Sequence, residues 1–218
     1  MNIFKTAAAA LLFFLLTGCN PAPNALRSGD LVFVAIPAAS PLDSADMDSG
    51  IAAATNRADS LNYIHAAILE VCGDSTWIID ATIRRGVDRH PLDTFLSDFT
   101  LKDGSLPRFE VMRIKDGPGD LVENAKKLVG MPYDVYFLPD NGAEYCTELI
   151  RDSYLDAAGN PIFENAPMNF KGPDGEFPAY WVKLFGRLGV DVPQGRPGTN
   201  PRDMRFDPAL KFVSDRLQ

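Results

Sequence analysis

Residues 63–82, YIHAAILEVCGDSTWIIDAT, constrain this chain more than any other stretch. Two β-rich runs, YIHAAILEVC and STWIIDAT, are separated only by Gly73-Asp74, the kind of two-residue connection that closes an antiparallel hairpin. With that turn Cys72 pairs with Ser75, and the remaining pairs follow: His65 opposite Thr82, Ala67 opposite Asp80. Side chains alternate across a strand, so His65, Ala67, Leu69 and Val71 are expected on one face and Ile64, Ala66, Ile68, Glu70 and Cys72 on the other. Asp80 then becomes the same-face diagonal neighbour of His65. Such positions lie about 7–8 Å apart at the backbone, within reach of a carboxylate–imidazole bond.

Other elements assemble around the hairpin. GDLVFVAI, 29–36, is a continuous apolar run and reads as a buried strand. Residues 40–60 are small, acidic and turn-rich: a long loop with one short helix near Ile51, of the kind that commonly carries function. PLDTFL, 91–96, reads as a short helical turn and PRFEVMRI, 107–114, as a further strand. Asp120 is placed to cap a helix whose Leu121, Val122, Ala125, Leu128 and Val129 form one stripe, ended by Gly130 and Pro132. A second amphipathic helix is expected from Cys146 to Ala158, burying Leu149, Ile150, Ser153, Tyr154 and Ala157 with the cysteine. The Pro-, Gly- and aromatic-rich remainder, 160–218, carries one helix signal at PAYWVKLFGRLG and reads as a wrapping tail. The order of elements predicts an α+β fold with an antiparallel sheet.

The chain begins MNIFKTAAAALLFFLLTGCN, with one cation at Lys5 and an apolar run too short to span a bilayer, which reads as an export signal. Its ending, Leu16-Thr17-Gly18-Cys19, resembles a bacterial lipobox. That resemblance implies a signal peptide over 1–18, cleavage before Cys19, lipid attachment to its thiol, a tether over 19–28 and one domain over 29–218. It also implies membrane contact through the N-terminal lipid and a place in the bacterial cell envelope, with Asn20 pointing to the outer membrane, facing the periplasm. The net charge of −8, without a Lys/Arg cluster, argues against nucleic acid as a partner. Two separated histidines and no CxxC give no metal-ligand set, and no Gly-rich phosphate loop follows a strand, so neither metal nor cofactor is expected. Oligomeric state is not encoded in any pattern of the sequence.

Three polar residues carry the chemistry. A carboxylate such as Asp80 holding one imidazole nitrogen fixes the tautomer and leaves the other as a base. Cys146 supplies a nucleophile at a helix N-terminus, where partial positive charge and a neighbouring imidazolium favour thiolate. Backbone N–H groups there, with Tyr145 or Tyr133 as side-chain donor, would hold an oxyanion. The rival is a Cys72–Cys146 disulfide, which an exported protein can form. Seven strand residues, about 23 Å, separate His65 from Cys72, while bridged Cα atoms lie within about 7 Å. Cys146 therefore serves one role or the other, and spacing leaves both open. Cys72 itself reads as a buried hydrophobe, His90 in DRHPLD as an exposed loop residue, and Glu148 as a solvated helix-start charge.

Taken together, Gly29-Asp30-Leu31-Val32-Phe33, His65 with Ala67, Asp80-Ala81, Gly130-Met131-Pro132-Tyr133-Asp134 and Tyr145-Cys146-Thr147-Glu148-Leu149 resemble the circularly permuted papain-like amidases, the YaeF/YiiX group of the NlpC-type superfamily. The resemblance runs from about Gly29 to Tyr154. It implies a permuted papain-like fold, an antiparallel sheet or small barrel packed against the helix that carries the cysteine. It also implies Cys146 as nucleophile, His65 as general base and Asp80 as orienting acid, and so favours the nucleophile over the disulfide. Ile64 and Ala67 depart from the Ser and Gly common around the family histidine, and Asp80 from its usual Glu. The implied activity is hydrolysis of an amide or peptide substrate, such as cell-wall peptide, through an acyl-enzyme. The alternatives are an acyltransferase or hydrolase of fatty-acyl groups, of the lecithin:retinol acyltransferase kind, and a non-catalytic, disulfide-stapled binding lipoprotein. The loop at 40–60 and the aromatics Phe163, Phe170, Phe177, Tyr180 and Trp181 are expected to shape the pocket, an apolar lining favouring acyl groups.

Overall fold

The computed structural model of the protein describes residues 25–217, apart from 41, 45, 56–59, 116 and 118–120. The expected signal over 1–18, the lipid site Cys19 and the helix cap Asp120 lie outside the described residues. In chain order the elements are β1 (Asp30–Pro37), α1 (Met47–Thr55), β2 (Leu61–Cys72), β3 (Ser75–Thr82), β4 (Gly86–Pro91), α2 (Leu92–Asp98), β5 (Arg108–Ile114), α3 (Leu121–Leu128), α4 (Cys146–Ser153), β6 (Ala166–Pro167), α5 (Ala179–Leu188), β7 (Pro197–Gly198), α6 (Pro201–Arg205) and β8 (Leu210–Ser214). Among the described residues no helix is long and apolar enough to cross a membrane.

Six strands form an antiparallel sheet in the order β4-β3-β2-β1-β5-β8. The hairpin closes as its turn dictates: Gly73 takes φ 59°, and pairing runs from Cys72↔Ser75 to Ile68↔Ile79. β1 and β2 lie at the centre, so the unbroken apolar run of β1 is buried on both faces. On one face α3, α4 and α6 bring Leu121, Leu149, Ile150 and Met204 onto Leu31, Phe33 and Ile68. On the other, Phe95 of α2 and Leu217 pack against Val32, Val34 and Leu69. A third cluster, built on Phe137, Tyr145, Phe170 and Trp181, joins α5 to Met47 and Ile51 of α1. There Trp181 sits so close to α1 that a Cβ on Gly50 would meet its ring at 2.9 Å, and the glycine allows α1 to lie against it.

Several elements depart from the sequence expectations. The 160–218 segment does more than wrap the domain, because its β8 pairs with β5 and extends the sheet. Residues 86–91 form β4 on the far side of the hairpin. Helix α4 stops at Ser153, whose hydroxyl turns back to the Leu149 carbonyl at 2.6 Å, and Asp156 then accepts from the Ala158 and Asn160 amides in a tight turn. Ala157 is consequently exposed rather than on the buried face. The expected tether is docked from its first described residues: Arg113 donates to the Ala25 carbonyl and Ser28 exchanges bonds with the Val71 backbone. Cys72 stands at the strand end as expected, but exposed rather than buried.

Candidate active site

His65 reaches the site through a local irregularity of β2. The β1–β2 ladder pairs Val34 with His65 but Ala35 with Tyr63, leaving Ile64 as the extra residue of a bulge. A bulge bends its strand and re-aims side chains. Ile64 is thereby moved to the face of Ala67 and Leu69, contrary to strict alternation, and packs in their cluster. The imidazole of His65 lies against Phe99, with ring centroids 4.8 Å apart, and is 7% exposed.

The diagonal contact read from the hairpin register is present: His65 Nε2 is 2.9 Å from Asp80 Oδ2. Asp80 is fully buried. Burial alone would raise its pKa, yet hydrogen bonds and charge from His65 and His90 hold it well below the usual carboxylate range. With Nε2 bound to Asp80, the other ring nitrogen is left without a bond to that carboxylate. Cys146, the first residue of α4, adjoins the imidazole closely enough to interact with it by charge and hydrogen bond. Burial lowers the His65 pKa, but the Cys146 charge and the Asp80 contact outweigh it and push it up to about 10. Sulfur, imidazole and carboxylate from α4, β2 and β3 therefore converge. Cys146 and Cys72 are both free, which overturns the disulfide-stapled alternative.

The remaining predicted site residues separate. Tyr145 lines the same slot as Cys146, and its hydroxyl accepts from the Thr199 amide at 2.8 Å and lies beside Met168. Tyr133 lines the space around Cys146, its hydroxyl 3.4 Å from the Met47 sulfur. Burial first, then the Cys146 charge, raise its pKa well above the ordinary tyrosine value, so it remains an O–H donor.

Cys146 opens onto two spaces. A cleft of about 340 Å³ holds His65, Tyr133, Arg84 and, from α1, Met47 and Asp48. The loop at 40–60 thus forms one wall, as expected. Behind the thiol a slot of about 40 Å³ is walled by Phe137, Met168, Phe170 and Trp181. Of the five tail aromatics expected at the pocket, Phe170 and Trp181 line this slot, whereas Phe163 packs in the core under α4.

Three groups escaped the sequence reading. His90, expected in an exposed loop, is buried on β4 with Nε2 3.0 Å from Asp80 Oδ1. Its alternation with Asp88 across a charged edge strand was the available signal. Asp48 faces the cleft, and burial raises its pKa while the nearby His65 charge lowers it. Glu148 is buried rather than solvated. Burial, then Glu144 and Asp134, push its pKa up to about 9, and Glu144 reaches about 8 through burial, Asp152 and Asp134. Among the described residues no group of three or more His, Cys, Asp or Glu side chains is arranged to hold a metal ion.

Comparison with known proteins bears on the family and the fold. The family model described as permuted papain-like amidase enzyme, YaeF/YiiX, C92 family, matches residues 25–214. The chain belongs to this family. It is therefore a member of a papain-like cysteine amidase/peptidase family, and its mostly antiparallel α+β architecture fits that assignment. A curated relative, the uncharacterized protein YiiX of Escherichia coli (strain K12), is 24% identical over 158 residues, which span 70% of this chain and 74% of the relative. The crystal structure of YiiX from Escherichia coli O157:H7, described as a metalloprotein, superposes with a TM-score of 0.65 at 22% identity. It covers 88% of this chain and 98% of that one, a likeness of fold.

Proposed function

We propose that this permuted papain-like amidase is a lipid-anchored cysteine hydrolase of the bacterial cell envelope that cleaves an amide bond, with Cys146, His65 and Asp80 as its triad. The observation that carries the reading is the imidazole of His65, bound to Asp80 through Nε2 and sharing one cleft with Cys146, close enough for the two to interact. The Cys146 thiolate attacks the carbonyl carbon, and the resulting oxyanion is held by the Cys146 backbone N–H at the start of α4 and by the Tyr133 hydroxyl. His65, protonated in the ion pair, gives its proton to the leaving amine as the C–N bond breaks. It then takes a proton from water, whose oxygen attacks the thioester and releases the acid and the free thiol. The lipid anchor rests on Leu16-Thr17-Gly18-Cys19 alone. Membrane release of the Cys19→Ala protein tests it.

The chemistry is tested by alkylation. Cys72 is exposed, so the experiment uses a Cys72→Ser background. Iodoacetamide at about pH 6 is expected to modify Cys146 rapidly, because an ordinary thiol is largely protonated there. His65→Ala should slow the reaction at least tenfold; an unreactive thiol, or one indifferent to His65, would remove the proposal. Substrate class is tested with muropeptides and N-acyl amides side by side. The aromatic slot beside Cys146, about 40 Å³, has room for a small apolar group only, so the second reading, transfer or hydrolysis of fatty-acyl groups, stands or falls with the N-acyl amides.

A further inference from the structure

Asp80 is fully buried, and each of its two oxygens meets a different imidazole: Oδ2 meets His65 Nε2 at 2.9 Å and Oδ1 meets His90 Nε2 at 3.0 Å. The sheet register explains the symmetry. Ile78 pairs with His90 and Asp80 with Asp88, so His90 is the same-face diagonal neighbour of Asp80 on the β4 side, as His65 is on the β2 side. Phe95 closes the array from below, its ring centroid 6.2 Å from His65 and 6.5 Å from His90.

A buried carboxylate with one oxygen unpaired is costly, and it relieves that cost by rotating or by taking a proton. Either change removes the acceptor that orients His65. We infer that His90 is a positioning residue for the reaction proposed above: its Nε2–H donates to Asp80 Oδ1 and locks the carboxylate in the plane that faces His65. His90 never touches substrate; its effect passes through Asp80. The charged groups around this array are Arg85, whose guanidinium lies 3.4 Å from His90 Nε2, and Asp88 and Asp98, which both pair with Arg85, Asp88 standing opposite Asp80 in the β3–β4 ladder; Cys146 and Asp48 face His65 from the other side.

The inference rests on the Cys146–His65–Asp80 reading, and full-length His90→Leu, His90→Gln and Asp80→Ala proteins separate the two. With whichever of the muropeptides or N-acyl amides the wild-type protein cleaves, His90→Leu is expected to lower kcat about 10- to 100-fold at nearly unchanged KM, the scale of a misplaced catalytic group. His90→Gln, which keeps an N–H donor, should recover most of that loss. Thermal melts of both variants at equal pH show whether folding is intact, and only the donor should distinguish Gln from Leu. Equal activity of His90→Leu and wild type, or an equal loss in Leu and Gln variants of equal melting temperature, overturns the inference while a large loss in Asp80→Ala keeps the triad. An unaffected Asp80→Ala protein overturns both.

Discussion

Two buried acidic groups flank the reactive helix, and they are held in opposite states. Asp80, on the hairpin side, is fully buried and ionised, because both oxygens receive imidazole donors. Glu148, two residues after Cys146 in the first turn of α4, is 5% exposed, and burial together with Glu144 and Asp134 pushes its pKa up to about 9. Burial is common to both; the sign of the neighbours decides the outcome. An anion beside His65 sustains the imidazolium. A neutral acid at the foot of α4 leaves the positive helix terminus undiminished near the sulfur, and its Oε2 still accepts from the Tyr145 amide at 3.4 Å as a cap.

The sharpest way to break the comparison is to neutralise each side in turn. Asp80→Asn should reduce kcat by about 10³–10⁴, because an amide presents the wrong hydrogen-bonding pattern to His65 and leaves the imidazolium unsupported. Glu148→Gln should leave kcat within about threefold, since a carboxamide imitates the neutral acid already present. Amide hydrolysis followed at about pH 7 decides it, and similar losses in the two variants would show that charge does not separate the two positions.

A smaller effect tests the pairing from the base side. His65 holds its proton up to about 10 through its neighbours Cys146 and Asp80. Above that value the thiolate persists but the proton for the leaving amine is gone. Amide turnover should therefore fall about tenfold per pH unit beyond about 10, while iodoacetamide alkylation of Cys146 stays level. A shared decline of both rates from pH 7 upward would deny the ion pair.

Much of this contrast was legible in the sequence on one side only. A two-residue turn and a period of two fix which residues of a hairpin share a face, so the His65–Asp80 contact could be read from numbering alone. The bulge that moves Ile64 left no mark in the alternation. β4 was missed because charged residues and Pro91 make GVDRHP look like a loop, and His90 was misplaced with it. β8 pairs with a strand nearly a hundred positions earlier, and no local pattern announces so distant a partner. Glu148 shows the same limit in electrostatic form. A helix-start glutamate is ordinarily solvated, and no local pattern shows that the fold buries Glu148 beside Glu144 and Asp134.

The mildest effect is on stability, and its sign differs between the two sides. Asp80 has a depressed folded pKa, so its contribution is present above the unfolded value near 3.8 and is lost as pH falls below it. Glu144 and Glu148 have raised values, about 8 and 9 against 4.5 in the unfolded chain. The folded protein then keeps protons that the unfolded chain releases, so stability declines as pH climbs from about 4.5 toward 9. Replacing both glutamates by glutamine removes that decline and retains the cap on Tyr145. At pH 8 the double variant should melt at a higher temperature than the parent, whereas at about pH 4.5 the two proteins should melt together. An equal gain at both pH values would mean that packing, not proton uptake, sets the energetics beneath α4, and the opposition between the two acids would then reduce to a difference in shape.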